Sequence, residues 1–305
     1  MLTRLRPLGA ATGLALTLVL AGCSDSNSPS ASSNLMTSTE AQSLADDAAD
    51  DFTGLADASA FDALSGLSLS TASVGGVSVN SPPQSPCVTI SPAAPISSDA
   101  DIVPDSVRFD YADCVFTRAN GNIIDSLSGT IDFLDAQPTV ASLGVRHVFT
   151  NFGRSRTNVP FPARSFGAVD NGTREWGASS DTLGHTLTNF VTVRTHPLGR
   201  STTHTRDWVG HFTADLAGSI VLGFPLPAGN WAVNGTGTWA RGNRSWSVVT
   251  STITPMHYNP ACTVEPRIDA GQVMLMVTRN GVESTVDVLF TACGAFTVVR
   301  TAGPV

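Results

Sequence analysis

The chain has 305 residues, with 25 Asp and Glu against 17 basic residues, every one of them Arg, for a formal charge of −8. That acidic balance argues against nucleic acid as a partner and against an electrostatic grip on anionic lipid. The absence of Lys excludes lysine Schiff-base chemistry and a phosphate-binding loop of the G-K-[ST] type, and no cofactor is expected.

Arg4 and Arg6 open the chain with positive charge. An apolar run of 13 residues follows, from Leu8 to Leu20. It is too short for a comfortable membrane span and fits the apolar core of an export signal. Next comes Leu20-Ala21-Gly22-Cys23. A basic start, an apolar core and L-A-G-C in this register resemble the lipobox signal of bacterial lipoproteins. The resemblance implies removal of residues 1–22, diacylglyceryl transfer to the Cys23 thiol and acylation of the new amine with a palmitate-type chain. Two or three such chains anchor stably where one does not. The expectation is an exported protein, held at the membrane through acyl chains on Cys23. Ser24 resembles the choice that sorts lipoproteins to the outer membrane in cells with two membranes. Residues 23–34 are Ser-rich and polar, which predicts a flexible tether. Without residues 1–22 the chain keeps 15 Arg against 25 acids, a net charge of −10.

Residues 35–66 predict an acidic amphipathic helix and a linker. Thr37 and Glu40 fit a capping box. Ala41, Leu44, Ala48, Phe52 and Leu55 share one helical face, and Gly54 weakens the end, so the helix is placed near 38–53. Asp46, Asp47 and Asp50 fall largely away from that face and read as solvated.

Residues 67–305 predict an antiparallel β domain, because apolar and polar residues alternate between turn dipeptides. Val107, Phe109 and Tyr111 form a half-buried strand. A three-residue loop, Ala119-Asn120-Gly121, would pair Phe109 with Ile131 and Val107 with Phe133. Gly242-Asn243 puts Trp239 across from Trp246. Asn280-Gly281 puts Leu275 across from Val286 and Val273 across from Val288. Further strands are expected at 141–153, 183–195, 203–214, 217–223 and 231–240. The fold class is mainly β: an antiparallel β-sandwich or a (half-)barrel with one N-terminal α-helix.

With Cys23 assigned to lipid, Cys87, Cys114, Cys262 and Cys293 remain. An even count in an exported chain suggests disulfides. Three pairings are possible, and sequence proximity favours Cys87 with Cys114 and Cys262 with Cys293. Asp99, Asp101 and Asp105 form an Asp-rich loop with the start of a calcium site, but Ile102 and Val103 stand where such loops carry polar ligands. His204 and His211 are the histidine candidates for zinc, and they need the fold to bring them together. Against these stand plain polar loops and surface histidines, and no metal site is assigned. The five Trp are either packed or sugar-stacking platforms.

The sequence carries no G-x-S-x-G, H-E-x-x-H, G-x-G-x-x-G or C-x-x-C motif, and no catalytic residue is assigned. The leading reading is a lipid-anchored envelope lipoprotein with a non-enzymatic structural or binding role. The alternative is a carrier of an apolar ligand or lipid in a β half-barrel, since Val273 to Val277 is apolar on both faces. A hydrolase of envelope polymers is the third class. The partners to expect are the membrane, an apolar ligand or another envelope component.

Overall fold

The computed structural model describes residues 34–57, 68–70, 78–80, 87–92, 96–99, 103–118, 123–140, 144–159, 165–178, 181–197, 200–220, 226–264 and 266–303. Cys23, the residues expected as signal and most of the tether, Asp101 and the 119–122 loop lie outside them.

One helix, α1 (Ser38–Asp57), precedes the strands. Its start follows the capping box. The Thr37 amide donates to Glu40 Oε2 at 2.8 Å, and the Glu40 amide donates to Thr37 Oγ1 at 3.2 Å. Two short strands, β1 (Ser68–Ser70) and β2 (Ser78–Asn80), pair with each other. The remaining strands are β3 (Val88–Ser91), β4 (Ser106–Arg118), β5 (Ile123–Asp135), β6 (Gly144–Asn158), β7 (Phe166–Ala178), β8 (Thr182–Thr195), β9 (Ser201–Ala214), β10 (Gly229–Arg241), β11 (Arg244–Tyr258), β12 (Ile268–Arg279), β13 (Val282–Ala292) and β14 (Ala295–Ala302). They form one 12-stranded antiparallel sheet in strict chain order, with β3 and β14 at its edges. Of the two expected architectures, this is the open, curled one.

Curvature follows from what the helix touches. The Phe52 ring stacks on Trp208 of β9 at 5.4 Å and meets Phe290 of β13 at 6.4 Å between centroids. Four strand spacings in a flat sheet are about 19 Å, so the sheet must bend around the helix to bring both rings to Phe52. Burial along α1 agrees. Ala41, Leu44, Ala45, Ala48, Ala49 and Phe52 are all buried, and between residues 40 and 52 the exposed positions form a narrow stripe, Gln42, Asp46 and Asp50. The alanines leave room for close approach of the sheet.

The main core gathers this helix and the concave face of β7–β13, including all five Trp. Buried tryptophans are packing groups here, not surface stacking platforms. A second core cluster, Val103, Val107, Phe109, Ile131, Phe133, Val145 and Phe152, lies over β4–β6, and Phe149 packs against both clusters.

Bulges drive the bending. Gly129 of β5 (φ 85°) faces Asn151 of β6 (φ 47°), and Gly172 of β7 (φ 118°) faces Asn189 of β8 (φ 46°). The strand register shifts at these places. Side chains stitch the line together: Asn171 Oδ1 accepts the Asn151 amide at 2.8 Å, and Asp207 Oδ1 accepts the Asn189 amide at 2.7 Å.

Both two-residue hairpins form as expected, with Trp239 opposite Trp246, Leu275 opposite Val286 and Val273 opposite Val288. Phe109 does pair with Ile131 and Val107 with Phe133, but by another route. The strands stop at Arg118 and Ile123, so four residues connect them, and a bulge between Tyr111 and Cys114 restores the register. The strand expected at 217–223 is not formed: residues 215–220 are turn and loop, with Gly218 left-handed, and 221–223 lie outside the described residues. Strand β7 falls outside the expected strands; its Asn171-Gly172, a dipeptide of the kind common in turns, forms a bulge within it.

The structure pairs Cys87 with Cys114 (Cα–Cα 5.2 Å) and Cys262 with Cys293 (Cα–Cα 5.5 Å), as proximity favoured. Each pair ties down one edge of the sheet, the first beside β3 and the second at the β13–β14 turn.

A methyl group at Gly172 would meet Asn189 O at 2.5 Å and Phe190 Cα at 2.7 Å, in a backbone conformation that side chains rarely adopt. Gly172→Ala should cost about 1–3 kcal/mol in urea unfolding, while Gly177→Ala on the same strand, with nothing near its new methyl, should change stability little. Equal effects at the two positions would rule out the bulge as the constraint.

Candidate functional site

Alternation on β9 puts His204, Arg206 and Trp208 on one face, and that face turns inward. Their exposures are 1%, 0% and 1%. The same rule on β8 turns Thr192 and Arg194 inward, and on β7 Asp170, Arg174 and Trp176. Arg206 stands at two-residue spacing between the rings of His204 and Trp208, a signal legible in the sequence; Arg174 and Arg194 have no aromatic pair around them at that spacing.

Helix and sheet meet at Asp51. Its carboxylate accepts from Arg194 Nη2, pairs with Arg206 Nη1 and accepts from His204 Nδ1 at 2.7 Å. With the carboxylate as acceptor, the His204 proton sits on Nδ1. Arg206 Nη2 donates to Thr192 Oγ1, and that hydroxyl donates to Asp170 Oδ1 at 2.7 Å. Arg154 Nε reaches the other Asp170 oxygen at 3.2 Å. One turn earlier on the helix, Asp47 accepts from Trp239 Nε1 at 2.8 Å and lies 3.4 Å from Arg194 Nη1. Arg244 of β11 pairs with Glu40 at 2.9 Å. Asp47 and Asp51 are therefore buried, at 0% and 5% exposure. The expectation of a solvated Asp47 is corrected: the sheet wraps far enough around α1 to cover it. Asp46 and Asp50 do face outward.

Burial by itself would raise the Asp51 carboxyl, yet Arg194, Arg206 and His204 together hold it well below the usual carboxylate range. The His204–Asp51 pair has the geometry of an acid–base dyad, but it is sealed in the core and spent on joining helix to sheet.

A second group of polar side chains lies beside this network. Arg174 of β7 is 8% exposed, and its guanidinium lies over the rings of Phe190 at 4.5 Å and Phe149 at 5.6 Å. Desolvation pushes it down to about 10. His147 of β6 stands directly across from Arg174, and His185 of β8 directly across from Trp176. Burial, then the nearby Arg174 charge, lowers both histidines, His147 to about 3 and His185 well below its ordinary value.

The metal candidates come out differently. His204 and His211 lie seven residues apart on one strand, an odd separation that points them to opposite faces, inward and outward, so they do not converge. Asp207 likewise faces outward. In the Asp-rich loop, Asp105 accepts from the Ser98 amide and hydroxyl, and Ser97 donates to Asp99 at 3.2 Å. Among the described residues, Cys262, Asp269 and Cys293 offer converging ligand atoms, but the two cysteines are joined to each other and offer no thiolate. On the surface, His257 is clamped between Asp215 at 2.9 Å and Asp269 at 2.6 Å, which raise its pKa.

No known protein family, curated protein or solved structure matches this chain.

Removing the Asp51 carboxylate strands two buried guanidinium groups. Asp51→Ala should lose about 3–5 kcal/mol of stability in urea unfolding, and an unchanged midpoint would show that the network does not hold the helix. His147 and His185 have folded pKa values below the unfolded 6.5. The unfolded chain therefore binds more protons as pH falls, and stability drops from pH 6.5 toward about 3. Each histidine contributes about 1.4 kcal/mol per pH unit within that window. Calorimetric melts between pH 7 and 5 should show this slope, and His147→Phe should reduce it by one proton.

Proposed function

We propose that this chain is a lipid-anchored cell-envelope lipoprotein whose curled β domain has a non-enzymatic binding role. For the anchor, the support is the Leu20-Ala21-Gly22-Cys23 motif behind a basic, apolar start. Two disulfides fit an oxidising, exported compartment. The binding role rests on one observation: the concave face carries buried polar nitrogens, at Arg174, His147 and His185 among others, for which the described residues supply no hydrogen-bond partner. Folding alone does not favour burying such groups.

A second reading, a carrier of an apolar ligand, is favoured by the shape. A single sheet that curls without closing has an apolar inner face, and Phe149 and the buried Phe133 and Phe190 form part of it. Val273, Leu275 and Val277 are buried in the main core, whereas Met274 and Met276 are half-buried on the other face. That stretch serves packing, so the carrier reading rests on the β5–β8 side.

In cells fed a labelled fatty acid, the mature protein should carry the label and fractionate with membranes. Cys23→Ser should lose the label and leave the membrane fraction. An unlabelled, freely released wild-type protein would remove the anchor from this proposal.

A further inference from the structure

We infer that the concave face of β6–β8 binds the acidic head of an amphiphile, a carboxylate or phosphate joined to an apolar body, with Arg174 as its anchor. The inference rests on the binding role proposed above and not on the lipid anchor.

The interior contains two kinds of charge. On the helix side, Arg194 and Arg206 meet Asp51, and Asp170 meets Thr192 and Arg154. Single nitrogens there still lack a hydrogen bond, among them Arg194 Nη1, Arg206 Nε and His204 Nε2, but both guanidinium groups face a carboxylate; on the β6–β8 side that pairing stops. Arg174 Nε, His147 Nε2, His185 Nε2, Trp176 Nε1 and Trp231 Nε1 are all buried without a hydrogen-bond partner. These groups are neighbours. His147 is paired across the strands with Arg174, the Trp176 and His185 rings are 3.9 Å apart, and the Trp231 ring is 6.3 Å from His185. Arg174 makes no ion pair among the described residues. The Phe149 and Phe190 rings lie against its guanidinium, and Asp170 and Asp51 act on its charge only through space.

The chemistry of this set selects its ligand. A guanidinium and two indoles can only donate, and each neutral imidazole brings one N–H that can be aimed at an acceptor. A cation is repelled. What fits is a negative group with several lone pairs, and the guanidinium fork matches a carboxylate or phosphate with two parallel hydrogen bonds. The surroundings select the rest. The Phe133 ring lies 4.3 Å from His147, and Phe149 and Phe190 flank Arg174. A hydrated inorganic ion would gain nothing from these rings, whereas an apolar body does.

The test uses the full chain carrying Cys23→Ser, titrated with dodecanoate, dodecyl phosphate, dodecanol and inorganic phosphate below micelle-forming concentrations. Tryptophan fluorescence reports binding through Trp176 and Trp231. At least one acidic dodecyl compound should bind about tenfold or more tighter than dodecanol and than inorganic phosphate. Whichever acidic compound binds tighter identifies the head as carboxylate or phosphate. Arg174→Met should abolish the preference and raise the melting temperature, because an unpaired buried charge gives way to an apolar chain of similar length. Equal affinity for dodecanol, no binding by any compound, or wild-type preference in Arg174→Met would overturn the inference. So would an Arg174→Met chain that fails to fold, since the guanidinium would then be a structural group. An unlabelled Cys23 in the anchoring experiment leaves this site untouched, and a failed titration here leaves the anchor untouched.

Discussion

Asp51 is the point on which the rest of the structure turns. Two arginines and a histidine from β8 and β9 are buried in an apolar core, and burying them is costly unless a carboxylate meets them. That carboxylate comes from the helix, more than a hundred residues earlier in the chain. Helix docking and sheet curling are consequently one event. The network also specifies orientation. A helix turned by one residue, about 100°, would carry Asp51 away from the guanidinium groups and bring Asp50 or Phe52 to face them.

Sheet curvature supplies the second half of this arrangement. A flat sheet would cover one side of α1 and leave Asp47 in water. The run of bulges through Gly129, Asn151, Gly172 and Asn189 bends successive strands in the same place. Between residues 40 and 52 the concave face then leaves exposed only the stripe of Gln42, Asp46 and Asp50. The unpartnered nitrogens around Arg174 lie on this same face, in and beside the core that holds the helix. The candidate site and the helix socket are thus two parts of one curved wall, with the Arg174 and Arg206 guanidinium groups 4.5 and 5.1 Å from the centre of the Phe190 ring.

Much of the local architecture could be read from residue order. The capping box at Thr37 and Glu40 depends on four consecutive residues. The Gly242-Asn243 and Asn280-Gly281 hairpins are set by period-two alternation and a tight turn, which leave one register that pairs apolar with apolar. The disulfide pairing followed proximity along the chain, because meandering strands keep sequence neighbours adjacent in space. Failures came where one signal served two purposes. Asn171-Gly172 is chemically a turn dipeptide, and the same backbone freedom makes a bulge within a long strand. Ile220, Val221 and Leu222 form a short apolar run that reads as a strand, but residues 215–220 are turn and loop. The His204 and His211 pairing assumed convergence that strand geometry forbids.

Taken alone, the sequence determined the β class, the position and cap of the helix, the hairpin registers and the residues that resemble a lipobox, because each depends on short-range backbone preference or on a contiguous motif. It did not determine that Asp47 and Asp51 are buried, or that Arg174, Arg194 and Arg206 face inward. An acidic residue on a helix and an arginine in a strand are ordinarily solvated. Only the curled sheet removes their water, and only the folded chain shows which of them then meet a partner and which do not.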